Sequence, residues 1–173
     1  MASYPRRELT TLITRCQAAG STKERGNALE DLCRFLLEKV QDVRFHSRDQ
    51  LNAARSQEID LSFWVGRGSP LHFMPWVLLV EAKNHAKPVS SRDVRWFVEK
   101  LDDRKLGHGI LVAMNGISGS PGKRTGAWDM IVKAMHKGIR VVVLTQDDLR
   151  VLRCTADLIR LIENRFLEIT ILA

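Results

Sequence analysis

The most restrictive feature of this sequence is a run of five apolar residues, Trp76-Val-Leu-Leu-Val80, which is followed by Glu81-Ala-Lys83. Successive side chains of a strand point to opposite faces of a sheet. An uninterrupted apolar run therefore predicts a central strand that is covered on both faces. A sheet covered on both faces requires flanking helices, so this pattern favours an α/β fold.

Sequence patterns around this run predict the other elements. Apolar residues at helical spacing predict helices at residues 7–19, 22–40, 90–102, 125–136 and 147–164, the last with a break near Thr155. Strand-like segments lie at residues 43–48, 59–65, 76–82, 110–113 and 139–144, and residues 166–172 fit either an edge strand or a cut end. This order predicts a mixed central β-sheet, an antiparallel three-strand meander plus parallel crossover strands, with helices on both faces.

The length and charge of the chain predict a single domain with an anionic partner. With 173 residues, we expect one domain over residues 1–173, with a core at about 22–150 and a helical C-terminal extension at about 146–165. The 27 Lys and Arg residues exceed the 20 Asp and Glu residues by 7, and a positive surplus of this size favours a polyanion.

Cysteine usage and hydropathy predict a cytoplasmic location. Cys16, Cys33 and Cys154 lie far apart and form no CxxC pair, which argues against a secreted disulfide framework. No apolar segment approaches the roughly 20 residues of a membrane span, and the N-terminal MASYPRREL lacks the apolar core of a signal peptide. We therefore expect a protein of the reducing cytoplasm with no membrane partner.

Three charged side chains near the central strand form the strongest candidate for a chemical site. Glu81 and Lys83 are two residues apart on a strand, so both point to the same face. Asp60 lies in the preceding strand, and an antiparallel hairpin closed by the turn at residues 66–70 brings it level with Glu81. Two adjacent carboxylates need a cation between them, and hard oxygen ligands suit Mg²⁺. Beside that ion, Lys83 is placed to orient a water or to stabilise a developing phosphorane.

These residues, with the helix that precedes them, resemble a known nuclease superfamily. Ile59-Asp60 followed by Val80-Glu81-Ala82-Lys83 resembles the PD-(D/E)xK superfamily, which has the restriction-endonuclease-like fold. Gly26-Asn-Ala-Leu-Glu30 and Gly109-Ile-Leu-Val112 are similar to motifs of its Mrr-like branch. The similarity covers roughly residues 22–150, although the segment between the aspartate and the E-A-K motif is longer than the short hairpin of the family.

The resemblance implies a role for each matching residue. Asp60 and Glu81 would be metal ligands, the backbone carbonyl of Ala82 a further ligand, and Lys83 the catalytic lysine. Glu30 would be a supporting acid that binds the metal directly or through water. The implied cofactor is Mg²⁺, with Mn²⁺ as a substitute.

The sequence pattern of the helix that contains Glu30 does not decide whether Glu30 is exposed or why Gly26 is present. Glu30 is equally suited to a solvated helix face, because Asp31 and Glu38 lie near it in the sequence. Gly26 inside a helix costs about 1 kcal/mol relative to Ala, so it indicates either close packing at this position or a later helix start.

Basic residues around the acids are the candidate nucleic-acid contacts. They are Arg55, Lys87, Arg92, Arg95, Lys123 and Arg124. Lys123 and Arg124 end a glycine-rich loop at residues 116–124, which lacks the spacing of a Walker loop but suits a backbone-phosphate contact. His85 and Lys87 follow the E-A-K motif and either line the site or lie in a surface loop.

The sequence therefore predicts a metal-dependent endonuclease that hydrolyses phosphodiester bonds, in restriction or defence against foreign DNA. DNA rather than RNA is an expectation from the resemblance, and double-strand cleavage with one site per chain favours a homodimer. The alternatives are a catalytically inactive nucleic-acid-binding or assembly module with the same fold, and a nuclease that acts in repair or cleaves junctions. An enzyme for small phosphate compounds ranks below these, because it leaves the positive surplus unexplained.

Overall fold

One five-stranded sheet organises the part of the chain that the computed structural model describes, which is residues 2–18, 20–52, 57–120, 123 and 125–172. The elements follow one another as α1 (Arg6–Ala18), α2 (Thr22–Glu38), β1 (Val43–Leu51), β2 (Glu58–Val65), β3 (Val77–Lys83), α3 (Ser91–Asp103), β4 (His108–Ala113), α4 (Ala127–His136), β5 (Arg140–Thr145), α5 (Gln146–Arg150) and α6 (Thr155–Leu172). Ser21 and Glu24 form a capping box at the start of α2, and Ser90 and Asp93 form another at the start of α3.

The sheet is mixed, as the order of the elements predicts. Its strands lie in the order β1-β2-β3-β4-β5. β1, β2 and β3 pair antiparallel, whereas β3, β4 and β5 pair parallel through connections that contain α3 and α4. The α/β class, the antiparallel meander and the parallel crossover strands are thus confirmed.

β3 is the central strand of this sheet, but its burial begins later than the apolar run does. Leu78, Leu79 and Val80 are buried, whereas Trp76 is 54% exposed and Val77 is 44% exposed. Trp76 precedes the strand and its ring lies 5.9 Å from that of Trp64 on β2. The apolar run predicts a strand that is buried on both faces, and this is correct only from Leu78 onward.

Helices cover both faces of the sheet. On one face, α1, α2, α5 and the first half of α6 pack with sheet side chains that include Leu61 and Val80. On the other face, α3 and α4 pack with Leu79 and Leu111. Because side chains alternate along β3, Glu81 shares the face of Leu79 and points towards α3.

The C-terminal segment is helical, which corrects the prediction that residues 166–172 form an edge strand. α6 runs from Thr155 through this segment. Phe166 and Ile169 are three residues apart and so lie on one side of the helix: Phe166 stacks at 5.0 Å on His108, and Ile169 is buried. The predicted break near Thr155 is confirmed, since α5 ends at Arg150. No helix among the described residues has both the length and the apolar character needed to cross a membrane.

Gly26 lies inside α2, and neither sequence explanation for it holds. The helix begins at Thr22, so a later helix start is wrong. A Cβ at Gly26 would meet no atom within 4 Å, so close packing is wrong as well. The glycine therefore leaves open space on one side of α2, one helical turn before Glu30.

Candidate active site

Asp60 and Glu81 lie side by side on the face of the sheet that packs against α3. The antiparallel register pairs Leu61 with Val80, which brings the preceding Asp60 level with Glu81. The backbone N–H of Ala82 donates a hydrogen bond of 2.8 Å to Oδ2 of Asp60 and fixes its carboxylate at the edge of β3. The long connection between β2 and β3 does not disturb this register.

Two lysines surround the carboxylate of Glu81. Nζ of Lys83 lies 2.8 Å from Oε1 of Glu81 and 3.6 Å from Oδ2 of Asp60. Nζ of Lys100, which reaches the site from α3, donates to Oε1 and Oε2 of Glu81 at 2.9 and 2.6 Å. Two carboxylates and two ammonium groups thus form a cluster with no net charge. We call these four residues the site cluster.

Lys100 is the member of the site cluster that the sequence reasoning missed. It is only 9% exposed, and it lies on the buried side of α3 with Phe97 and Leu101. Lys100 follows Phe97 by three residues, which puts these two side chains on the same side of α3. The position of this lysine among apolar residues could have predicted its role, because a buried ammonium group requires an anionic partner.

Burial and mutual charge shift the protonation of two members of the site cluster. Burial, followed by the nearby charge of Glu81, raises the pKa of Asp60, and the lysines only partly oppose this. Burial acts against the ammonium form of Lys83, but the charges of Glu81 and Asp60 outweigh it and raise the pKa of Lys83. Lys83 is therefore an ammonium at neutral pH and a hydrogen-bond donor, not a proton acceptor.

Glu30 lies on α2, which packs against the opposite face of the sheet. It is only 7% exposed, so the prediction of a solvated helix face is wrong. Its Oε2 lies 3.0 Å from Nε of Arg48 but accepts no hydrogen bond from the described residues. Burial and the charges of Asp49 and Asp60, partly opposed by Arg48, together raise the pKa of Glu30 to about 7. The charge of Asp60 thus acts on Glu30, although no ion pair or hydrogen bond among the described residues joins Glu30 to the site cluster.

The carboxylate oxygens of Asp60 and Glu81 are ligands that a hard cation prefers, but the ammonium groups of Lys83 and Lys100 already contact them. No hydrogen bond from the described residues reaches Oδ1 of Asp60, which leaves that oxygen open to a cation or a water. Within the described part of the chain, no three His, Cys, Asp or Glu side chains are grouped as a metal site. A divalent cation would use Asp60, Glu81 and oxygens of the main chain or water, and would displace an ammonium group from Glu81.

The candidate nucleic-acid contacts fall into two groups. Two lie outside the described residues: Arg55 and Arg124. The others are all exposed: Lys87, Arg92, Arg95 and Lys123. Arg92 is in the first turn of α3, with its guanidinium 4.5 Å from the centre of the Trp96 ring. Arg95 lines a groove between α3 and α4 that includes no residue of the site cluster.

No protein-family model matches the chain, and no curated protein matches it significantly.

Proposed function

We propose that the protein is a Mg²⁺-dependent endonuclease of the PD-(D/E)xK superfamily, with a restriction-endonuclease-like fold, that hydrolyses phosphodiester bonds of DNA. The observation that carries this proposal is the convergence of Asp60, Glu81 and Lys83 on one face of the sheet, with Lys83 within 2.8 Å of one acid and 3.6 Å of the other. We further propose that the protein acts in the cytoplasm, in restriction or defence against foreign DNA.

The placement of the acids agrees with a role in chemistry better than with a role in folding. Asp60 and Glu81 carry like charges, and burial beside Glu81 raises the pKa of Asp60, so the fold bears a cost for keeping both. An apolar pair at these positions would pack against α3 without that cost. The presence of two acids in contact with Lys83, despite this cost, therefore supports the binding of a ligand at the site cluster.

Each residue has a defined part in the proposed hydrolysis. Asp60, Glu81 and the Ala82 carbonyl would hold Mg²⁺, and Glu30, whose helix packs on the opposite face of the sheet, would support it only through its charge and through water. When bound, Mg²⁺ supplies Lewis-acid stabilisation of the negative charge on the scissile phosphate. Lys83 donates hydrogen bonds to the attacking water and to the phosphorane oxygens, because its contacts with both acids hold it as an ammonium. Water attacks phosphorus in line with the leaving oxygen: the new P–O bond forms as the bond to the leaving oxygen breaks, the attacking water loses a proton to solvent, and solvent protonates the leaving oxygen.

The charge of the chain supports nucleic acid as the substrate. The surplus of 7 positive charges attracts phosphates, and four of the candidate contacts are exposed and able to reach a ligand. DNA rather than RNA follows from the resemblance to the Mrr-like branch, and cleavage of both strands favours a homodimer.

Plasmid nicking in Mg²⁺ tests this function directly. Lys83→Ala removes the donor from the site cluster, and we expect it to lower the nicking rate at least about 100-fold, which is the usual cost of losing one such donor. Asp60→Ala should lower it as strongly. Lys105→Ala is the matched control, because Lys105 lies just past α3 with an 83% exposed side chain and should nick at the wild-type rate. Folded Lys83→Ala and Asp60→Ala proteins that nick as fast as wild type would remove the assignment.

The neutrality of the site cluster supports a second candidate function, a nucleic-acid-binding or assembly module without turnover. Lys83 and Lys100 already satisfy both oxygens of Glu81, as in a structural ion-pair network. A gel shift in EDTA, run beside cleavage assays in Mg²⁺ and Mn²⁺, separates the two functions. Binding without cleavage in either metal favours the module, whereas metal-dependent cleavage that requires Lys83 favours the nuclease.

A further inference from the structure

A polar pocket of 220 Å³ lies next to the end of β3, where Asn84, the residue directly after Lys83, forms part of its wall. It lies where the parallel strands β3, β4 and β5 end, which is the edge at which open α/β sheets bind their ligands. The polar side chains that line it are Gln17, Arg25, Asn84, His85, Asn115 and Gln146. They come from α1, α2, α5 and the loops that follow β3 and β4.

The pocket is lined by a guanidinium, an imidazole and amide groups. None of the lining residues in the described part of the chain is acidic. Arg25 forms no ion pair among the described residues, and its Nε is buried without a hydrogen-bond acceptor. Buried donors on a charged group are costly unless an acceptor meets them, so within the described part of the chain the guanidinium of Arg25 is available to an anion.

Hydrogen bonds hold the walls of this pocket in position. Nδ2 of Asn84 donates to the backbone carbonyls of Cys16 and Arg25, at 2.8 and 3.0 Å. These two bonds tie the loop after β3 to the last turn of α1 and the first turns of α2. The side chain of Asn115 donates to the carbonyl of His85 and joins the loops after β3 and β4. The pocket is thus a built site that depends on several elements, not a gap between mobile side chains.

We propose that this pocket binds a phosphate group of a nucleic-acid strand whose neighbouring phosphate lies at the site cluster. The planar guanidinium of Arg25 suits the oxygens of a phosphate, and His85 adds a second donor from the facing loop. Lys83 is the last residue of β3 and Asn84 lines the pocket, so the site cluster and the pocket reach the same edge of the sheet, and a strand that crosses this edge from Lys83 passes the pocket. The inference rests on the proposed function for the choice of nucleic acid, but it concerns binding and requires no metal and no cleavage.

Fluorescence anisotropy in EDTA, with a labelled DNA duplex and the full chain, tests the pocket. Arg25→Gln removes the guanidinium, and we expect it to weaken binding at least about tenfold, the usual effect of losing a charged hydrogen bond. The slope of log K against log salt should fall by about 0.9, the contribution of one phosphate contact. Lys23→Gln is the matched control, because it removes the same charge from the same helix but does not line the pocket. It should change affinity less than twofold.

A second variant and two duplexes complete the test. His85→Ala alters the opposite wall and should also weaken binding, whether or not Arg25→Gln folds well. If Arg25→Gln weakens only duplexes with a 5′-phosphate, the ligand is a terminal phosphate monoester. If it weakens 5′-phosphate and 5′-hydroxyl duplexes equally, the ligand is an internal diester, and either result supports the pocket.

The outcomes distinguish failure of the pocket from failure of the proposed function. Arg25→Gln and His85→Ala that bind as tightly as Lys23→Gln overturn the pocket, even if the protein cleaves DNA. Binding that depends on Arg25, in a protein that never cleaves, keeps the pocket and removes the nuclease. A wild-type protein that does not bind the duplex in EDTA overturns the pocket as a nucleic-acid site.

Discussion

Lys100 on α3 donates hydrogen bonds to both carboxylate oxygens of Glu81 on β3, at 2.9 and 2.6 Å. The two residues are 19 positions apart in the chain, and both are buried. This contact anchors α3 to the sheet at the same point at which Lys83 meets the acids. The position of the helix and the orientation of the Glu81 carboxylate are therefore linked.

Replacing Lys100 by Met should destabilise the fold while keeping the shape of the side chain. Glu81 would stay buried with one ammonium partner instead of two, so we expect the free energy of unfolding to fall by about 2–4 kcal/mol. Urea denaturation in EDTA measures this. Lys105→Met should change stability by less than about 0.5 kcal/mol, because its ion pair with Asp102 is on the surface. Equal effects of the two substitutions would contradict a buried anchoring role for Lys100.

Asp60→Asn should separate activity from stability. Asparagine keeps an oxygen that accepts from the Ala82 N–H, and it removes the like charge beside Glu81. We expect the free energy of unfolding at pH 7 to stay within about 1 kcal/mol of wild type or to rise. Plasmid nicking should fall at least about 100-fold. Strong destabilisation with full nicking per folded molecule would assign Asp60 a purely structural role.

Glu30→Gln should change the dependence of stability on pH in EDTA. Burial raises the pKa of Glu30 to about 7 in the folded protein, from an ordinary value of 4.5. The folded state therefore favours the protonated acid, and wild type loses stability as the pH rises from 4.5 towards 7. Glutamine does not ionise, so the variant should gain about 3 kcal/mol relative to wild type between pH 4.5 and 8. Parallel stability curves for the two proteins over this range would contradict the raised pKa.

Two glycine substitutions should act in opposite directions. Gly26→Ala puts a methyl group into open space inside α2, and we expect it to raise the free energy of unfolding by about 0.5–1 kcal/mol. At Gly109 on β4, a Cβ would lie 2.7 Å from Cζ of Phe97, so Gly109→Ala should lower it by about 1–3 kcal/mol. Thermal denaturation compares the two variants. A loss of stability in Gly26→Ala would indicate a neighbour at this position.

Most of the fold and three members of the site cluster could be predicted, because they depend on short-range rules. A two-residue spacing puts Glu81 and Lys83 on one face, and hairpin pairing brings Asp60 level with them. Lys100 was missed because periodicity counts apolar residues and passes over a lysine among them. The burial of Glu30 depends on how closely α2 approaches the sheet, which no local pattern contains.

The conformation of the C-terminal segment was predicted wrongly for a related reason. Over seven residues, the apolar positions of 166–172 fit both a strand and a helix. Contacts with distant residues decide between the two, since the ring of Phe166 packs on His108 of β4 and meets Phe73, in the connection between β2 and β3, edge to face. These contacts join parts of the chain that are 58 and 93 positions apart, from 166 − 108 and 166 − 73.

For the proposed Mg²⁺ site, the neutral charge of the site cluster predicts that folding and metal loading are separate thermodynamic steps. In a zinc finger the ion is part of the fold, and chelation unfolds the chain. Here Lys83 and Lys100 neutralise the charge of Glu81 in the absence of an ion, and a divalent ion would displace one of their two ammonium groups from it. Dialysis against a chelator should therefore yield an intact, dormant protein, and returning the ion should reactivate it without any refolding phase.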